Sequence, residues 1–238
     1  IKVPSFHSKN NFKKKYCSCI RYIPKKYIKT LKTYLKNIII KLKRLKLDFI
    51  AEDPFYVLCS IDNLENNMPF TIDMAIIVPK ISIMNIHASF QKNKYDFKFE
   101  DMLIHEKIHN FQRKHQKQFD HYYPKLYPFL YKQIRVSELP RFLKLKNMTN
   151  PDSNQHIWLY KTKYGIIYPI LEKNNLYYEN IGYTMNLKKK VDLYQCLQFQ
   201  EEVSIYHPNE ILACELAKDI CGLKTNSKNI IFIKNMFT

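Results

Sequence analysis

The chain has 238 residues, 46% apolar and 14% aromatic, which is too much hydrophobic material for a disordered polypeptide. Its net charge of +18 is unevenly placed: residues 1–50 hold 13 lysines and 2 arginines against the single acid Asp48, a net +14 that leaves +4 for the remainder. High basicity is therefore a property of the first fifth of the chain and does not mark the whole protein as a nucleic-acid binder; a Lys-rich, Gly-poor composition of this kind also arises from A+T-rich codons.

Residues 1–22 mix lysine, aromatics and cysteine without a period and read as an arm. From Pro24, the apolar residues Ile28, Leu31, Leu35, Ile38, Leu42, Leu45 and Phe49 recur at alternating spacings of three and four, which predicts one long amphipathic helix with lysines between. Three uses compete for that helix: packing on a core, lying on an anionic membrane, or gripping nucleic acid. Packing is the plain reading, because an apolar stripe must be buried somewhere. Ile38-Ile39-Ile40 is far short of the ~20 apolar residues a membrane span requires. Thr71–Val78 is rich in β-branched and apolar residues and ends at Pro79, Ile81–Ile86 is a second apolar run, and together they predict two strands or a hairpin. Phe99 to about Gln118 predicts a helix, and Pro124, Pro128 and Pro140 divide the next stretch into short pieces ending at the turn Asn150-Pro151-Asp152. Residues 157–206 predict several short strands broken at Gly165 and Gly182, and a last helix runs from Pro208 to about Cys221, closed by Gly222. The six cysteines contain no C-x-x-C pair and no zinc-ribbon spacing, so they read as free thiols in a reducing, intracellular setting.

One motif carries chemistry. His105-Glu106-Lys107-Ile108-His109 is H-E-x-x-H inside the predicted middle helix. Positions i and i+4 share a helix face, so both imidazoles can address one cation, and Glu106 beside the first ligand is placed to act as the base toward a water on that cation. The competing reading is a pair of surface histidines among Lys107, Arg113 and Lys114. A catalytic zinc normally takes three protein ligands. His115 has the metzincin spacing, but Gln112 stands where that signature has its helix-breaking glycine, so on a continuous helix His115 points away from the site. His121 lacks the glycines that would bring it back, and the aspzincin G-T-x-x-x-D is absent. The last helix offers Glu210, on one face with Ala213, Cys214 and Ala217, whose small side chains let another helix approach. Glu201, Glu202, Glu215 and His207 remain alternatives, and in the first turn after Pro208 Glu210 could simply oppose the helix dipole.

H-E-x-x-H on one helix with a glutamate on a later one resembles the gluzincin type of zincin metallopeptidase. The wider set, Met68-Pro69-Phe70-Thr71, His105 to Arg113, Asn150-Pro151-Asp152 and Pro208 to Ala217, looks like zincin-like proteins encoded by large DNA viruses and some protists; the resemblance spans residues 68–220. It implies an α+β zincin-like fold with a small mixed sheet, Zn2+ held by His105, His109 and Glu210, and Glu106 as catalytic base. It also implies a protein or peptide substrate paired along a strand edge at Thr71–Pro79 or Ile81–Ile86. Asp152 is a candidate to orient a ligand histidine, and His156, Tyr168 and Tyr206 are unranked candidates to steady an oxyanion. The expected organisation is a basic arm and helix at 1–50 attached to a catalytic domain at 51–238. The expected setting is intracellular, in host cytoplasm or virion if the source is viral, with no signal peptide or transmembrane helix. The alternative function is a non-catalytic protein that binds nucleic acid or an anionic membrane through residues 1–50, with a degenerate or structural metal site.

Overall fold

The computed structural model describes residues 18–61, 64–72, 74–146, 156–173, 178–186, 189–199 and 204–237. Residues 1–17 of the arm expected at 1–22, the turn containing Asp152, and Glu201 and Glu202 lie outside the described residues; the end of that arm is not loose, because Ile20–Arg21 pairs with Cys59–Ser60 as a strand. The fold is mixed α+β, with two small sheets.

The basic helix α1 (Lys25–Arg44) follows Pro24, whose missing N–H costs nothing at a helix start. It buries Tyr27, Leu31, Tyr34, Ile38 and Leu42 in the main core, so the packing reading of its apolar stripe holds. Two details differ from the sequence expectation. Ile28 stays 36% exposed, because the buried face is centred on Tyr27 and Tyr34. The helix also stops at Arg44: Lys46 turns left-handed at φ 56°, and a short helix α2 (Asp48–Ala51) follows.

The first sheet contains β1 (Ile20–Arg21), β2 (Tyr56–Ser60), β3 (Phe70–Ile72) and β4 (Ala75–Pro79), in the order β1-β2-β4-β3. β2 and β4 are parallel and β3 runs antiparallel to β4, with Phe70 opposite Ile77 and Ile72 opposite Ala75. The expected strand at Ile81–Ile86 is instead helix α3 (Lys80–Gln91). Pro79 ends the strand, and beyond it Ile83 and Ile86 are buried at a spacing of three while Ile81 and Met84 face outward, a helical period that a run of β-branched residues conceals.

The helix bearing H-E-x-x-H is α4 (Phe97–Lys114). It ends earlier than expected, because His115 leaves helical geometry before α5 (Gln116–Leu126) begins. Strand β5 (Leu130–Arg135), unexpected among the prolines, starts the second sheet, and α6 (Arg141–Lys146) comes after it. The sheet continues with β6 (His156–Thr162), β7 (Gly165–Lys173), β8 (Tyr178–Thr184) and β9 (Lys190–Asp192), all antiparallel in chain order. Alternation along β6 serves two cores. Trp158 and Tyr160 face the main one, whereas Ile157 and Leu159 pack on the other side with Leu139 and Leu143. Gly165 makes its turn at φ 90°, as a break should. Gly182 is no break: it lies inside β8, where an added Cβ would sit 2.8 Å from both Ile167 and Val191. After α7 (Leu193–Leu197), the chain reaches α8 (Pro208–Cys221) and α9 (Lys228–Phe237). All five described cysteines are free thiols. Among the described residues no helix is long and apolar enough to cross a membrane.

Candidate metal centre

Three elements fix the position of α4. At its start, Asp96 caps the helix by accepting from the N–H groups of Lys98 and Phe99 at 3.0 and 3.1 Å, while its own N–H donates to Tyr34 of α1 at 2.8 Å. One turn on, buried Glu100 accepts from Lys41 of α1 at 2.8 Å, and the same ammonium donates to the Cys221 carbonyl at the end of α8. In the middle, Lys107 is fully buried: its ammonium donates to the Asp53 carboxylate, the Asp53 carbonyl and the Pro54 carbonyl at 2.8, 2.8 and 3.0 Å, which uses all three of its donors. Burial pushes the Lys107 pKa down against the pull of Asp53; burial also pushes Asp53 up, but Lys107 and Lys114 outweigh it and hold that carboxyl down. Lys107 is thus not one of a set of surface cations, and the reading of His105 and His109 as surface histidines fails with it. Their side chains are 20% and 1% exposed.

Helix α8 is brought to α4 from the far end of the second sheet, which accounts for the long sequence interval between His109 and Glu210. Asn180 of β8 is buried, and its side-chain Oδ1 accepts from the N–H groups of Ile205 and Tyr206 at 2.9 and 3.1 Å. Tyr160 of β6 donates to the Ile205 carbonyl at 2.9 Å. These bonds satisfy backbone groups that the core would otherwise leave dry, and they set where α8 begins. His207 is the cap residue, its Nδ1 accepting from the Asn209 N–H at 3.2 Å, with Pro208 in the first turn. The close approach signalled by small residues is present: Ala213 and Ala217 are fully buried, and α8 packs directly on α4.

The result is a convergence of three donors. Glu210 Oε1 lies 3.4 Å from His109 Nε2, Glu210 Oε2 lies 3.6 Å from His105 Nε2, and the two Nε2 atoms are 2.9 Å apart. Ligands at 2.0–2.2 Å from a tetrahedral ion stand roughly 3.3–3.6 Å from one another; one ligand atom from each of the three residues lies within 4.8 Å of the other two, so the carboxylate and the imidazole pair reach that spacing by small side-chain adjustments. Two imidazole nitrogens and one carboxylate oxygen are a donor set suited to a borderline-soft divalent ion such as zinc. These three residues could hold a metal ion, and no other such group of His, Cys, Asp or Glu occurs among the described residues.

The protonation states suit ligation. Burial, reinforced by the neighbouring His109, pulls His105 down to about 3, so its imidazole is neutral at pH 7. Burial pushes Glu210 up, but the surrounding histidines outweigh it and hold the carboxyl at about 2. The proton positions are set by the partners. Gln112 Oε1 is 2.9 Å from His109 Nδ1, which must donate, leaving the His109 Nε2 lone pair facing Glu210 and His105. His105 Nε2 then donates to His109, and His105 Nδ1 accepts from the Cys214 thiol at 3.6 Å. Holding a cation on both Nε2 atoms requires His105 to carry its proton on Nδ1, facing Cys214 Sγ.

The Gln112 amide is itself locked. Its NH2 group donates to the Tyr123 hydroxyl and the Asn209 carbonyl, both at 3.0 Å, and Tyr123 donates to the Asn209 side chain at 2.7 Å. In the sequence Gln112 stands out only as the residue that replaces a glycine. The one local signal of its role is its position three residues after His109, a spacing that places two side chains on one helix face.

The remaining candidates lie elsewhere. His115 packs against Phe111 and Phe237 and is 3.0 Å from Gln118, and His121 is exposed. Glu215 accepts from Tyr127 at 3.2 Å, with burial raising its pKa. His207 serves as the cap. Among the oxyanion candidates, Tyr168 packs in the second core on the far side of the sheet, Tyr206 is buried just before α8, and His156 is close enough to His207 to perturb its pKa. Glu106 is 6% exposed, beside His105. Comparisons of the chain with protein families, with curated proteins and with solved structures return no match.

Proposed function

We propose that the chain is a zinc-dependent peptidase of the gluzincin type, built on an α+β zincin-like fold. The observation that carries this reading is the convergence of Glu210 with His105 and His109, one ligand atom of each lying within 4.8 Å of the others. Zinc bound there supplies Lewis acidity, making water more acidic and polarising a carbonyl. His105, His109 and Glu210 hold it, with one carboxylate lowering the positive charge of the site. Glu106 is the base: on the same helix as the two imidazoles but not among the three ligands, its carboxylate accepts the proton that hydrolysis releases and returns it to the departing amine nitrogen. Gln112 fixes the His109 ring so that Nε2 rather than Nδ1 faces the ion.

The position of β3 supports a peptide substrate. It is the edge strand of the first sheet, bonded to β4 on one side, and α4 packs against both strands. Phe70–Ile72, rather than the longer segments expected from sequence, is then the edge along which an extended peptide pairs.

The test is proteolysis of fluorescein-labelled casein by wild type and by Glu106→Gln, with zinc content measured on both. The expected result is equal zinc and a rate lowered by about 10²-fold or more in the variant. Equal rates at equal zinc would contradict the role of Glu106.

A further inference from the structure

We infer that the outer face of α1 is a docking surface for the phosphate backbone of double-stranded nucleic acid. This goes beyond the peptidase reading and stands whether or not that reading is correct. Helix α1 contains eight cations and no acid; among the described residues Lys41 is ion-paired with Glu100 and Lys26 lies over the Tyr27 ring. At 100° per residue, Lys25, Lys29, Lys32, Lys36 and Lys43 fall within about 40° of one line, diametrically opposite the buried Tyr34 and Ile38. They are all exposed, and none forms an ion pair with a described residue. The first four, with Ile28 and Thr33, line a shallow furrow along the helix.

The packing of α1 chooses among polyanions. A helix that inserts into a membrane surface needs an apolar face free to enter the acyl region. Here that face is committed to the core through Tyr27, Leu31, Tyr34, Ile38 and Leu42, leaving Ile28 and Ile40 as the exposed aliphatic residues beside the lysine row. Single strands are gripped by stacking bases on aromatic rings, and the row contains none. There remains a straight, rigid line of ammonium groups rising about 27 Å along the helix, matched to a rod of regularly spaced phosphates.

The experiment is fluorescence anisotropy of the full chain with a 25-base-pair mixed-sequence DNA duplex at 50, 100 and 200 mM NaCl. Neutralising four to five phosphates gives a slope of log affinity against log salt of about −4, or about 200-fold weaker binding across that range. A variant with Lys25, Lys29, Lys32 and Lys36 each changed to Gln should bind about 100-fold more weakly at 50 mM, with the slope reduced to about −1 by the remaining Lys43. A control with the same charge change at exposed Lys92, Lys94, Lys98 and Lys117 should stay within about threefold of wild type. Equal losses in the two variants, no loss in the first, or binding to vesicles of 30% phosphatidylserine without binding to the duplex would each overturn the inference. Far-UV circular dichroism of both variants verifies the fold.

Discussion

Nδ1 of His109 donates to the side-chain carbonyl of Gln112 at 2.9 Å, and the Gln112 amide is in turn held by Tyr123 and by the Asn209 carbonyl, one residue before Glu210. One side chain therefore sets the tautomer of one candidate ligand and binds together the two helices that supply all three candidates. Gln112→Leu removes the acceptor and leaves Tyr123 and Asn209 dry in a buried site; zinc affinity should fall by about 10- to 100-fold. Gln112→Glu keeps the acceptor toward His109 and should bind zinc more tightly than the Leu variant. Competition titration against a chromophoric chelator reads both.

The assignment of the third ligand separates Glu210 from its rivals. Glu210→Ala should abolish stoichiometric metal binding, whereas Glu215→Ala, His115→Ala and His121→Ala should leave the metal content of the folded protein unchanged. Metal analysis after gel filtration distinguishes them, and loss of metal in His115→Ala with Glu210→Ala still loaded would reassign the site.

Much of this centre is legible in the sequence, but unevenly. H-E-x-x-H is local, so helical geometry alone puts two imidazoles on one face. Glu210 is not local: an entire antiparallel sheet separates it from His109, and only the small residues Ala213, Cys214 and Ala217 hint at the close approach. Where local signals are ambiguous, tertiary contacts decide. Ile81–Ile86, with isoleucine at three of six positions, is helical, because burial selects Ile83 and Ile86. β5 forms among prolines because Ile134 and Gln133 pair with Ile157 and Trp158 of a distant strand. Gly182 reads as a break and is instead a tight packing position. Gln112 has no distinctive pattern around it, because its role depends on partners in α5 and α8 that are far away along the chain.

Lys107 sits within H-E-x-x-H but performs a structural task, joining α4 to the Asp53–Pro54 segment. Lys107→Met leaves the Asp53 carboxylate buried with Lys114 as its remaining partner and should cost about 3 kcal/mol in urea unfolding. Zinc stoichiometry of the folded variant should remain that of wild type. A cost below about 1 kcal/mol would show that the pair contributes little.

The metal-free protein should be acid-sensitive. Burial holds His105 at about 3 and His207 at about 4, whereas in the unfolded chain both titrate near 6.5. Between pH 6.5 and about 4 the unfolded chain binds protons that the folded chain refuses, so stability falls as pH falls. Glu210, held at about 2 from an ordinary value of 4.5, adds to the loss below pH 4.5. The Tm of chelator-treated protein should drop steadily from pH 6.5 to 4.5. His207→Ser, which keeps a capping oxygen without a titrating ring, should make that drop shallower. A Tm unchanged over this interval contradicts the buried neutral histidines.

Asn180 is the corresponding test of how the second sheet places α8. Asn180→Leu strips the Ile205 and Tyr206 N–H groups of their acceptor and should destabilise the protein by about 2–3 kcal/mol, with weaker zinc binding in the folded fraction. Denaturant unfolding and chelator competition on the same sample read the two effects.

The most direct measurement is the zinc content of wild-type protein purified without chelator, determined by inductively coupled plasma mass spectrometry beside a His105→Ala, His109→Ala double variant. The wild-type chain should carry close to one zinc and the double variant almost none. A wild-type chain that carries no transition metal and takes up none from micromolar zinc, or a double variant that retains its full complement, would contradict the metal centre.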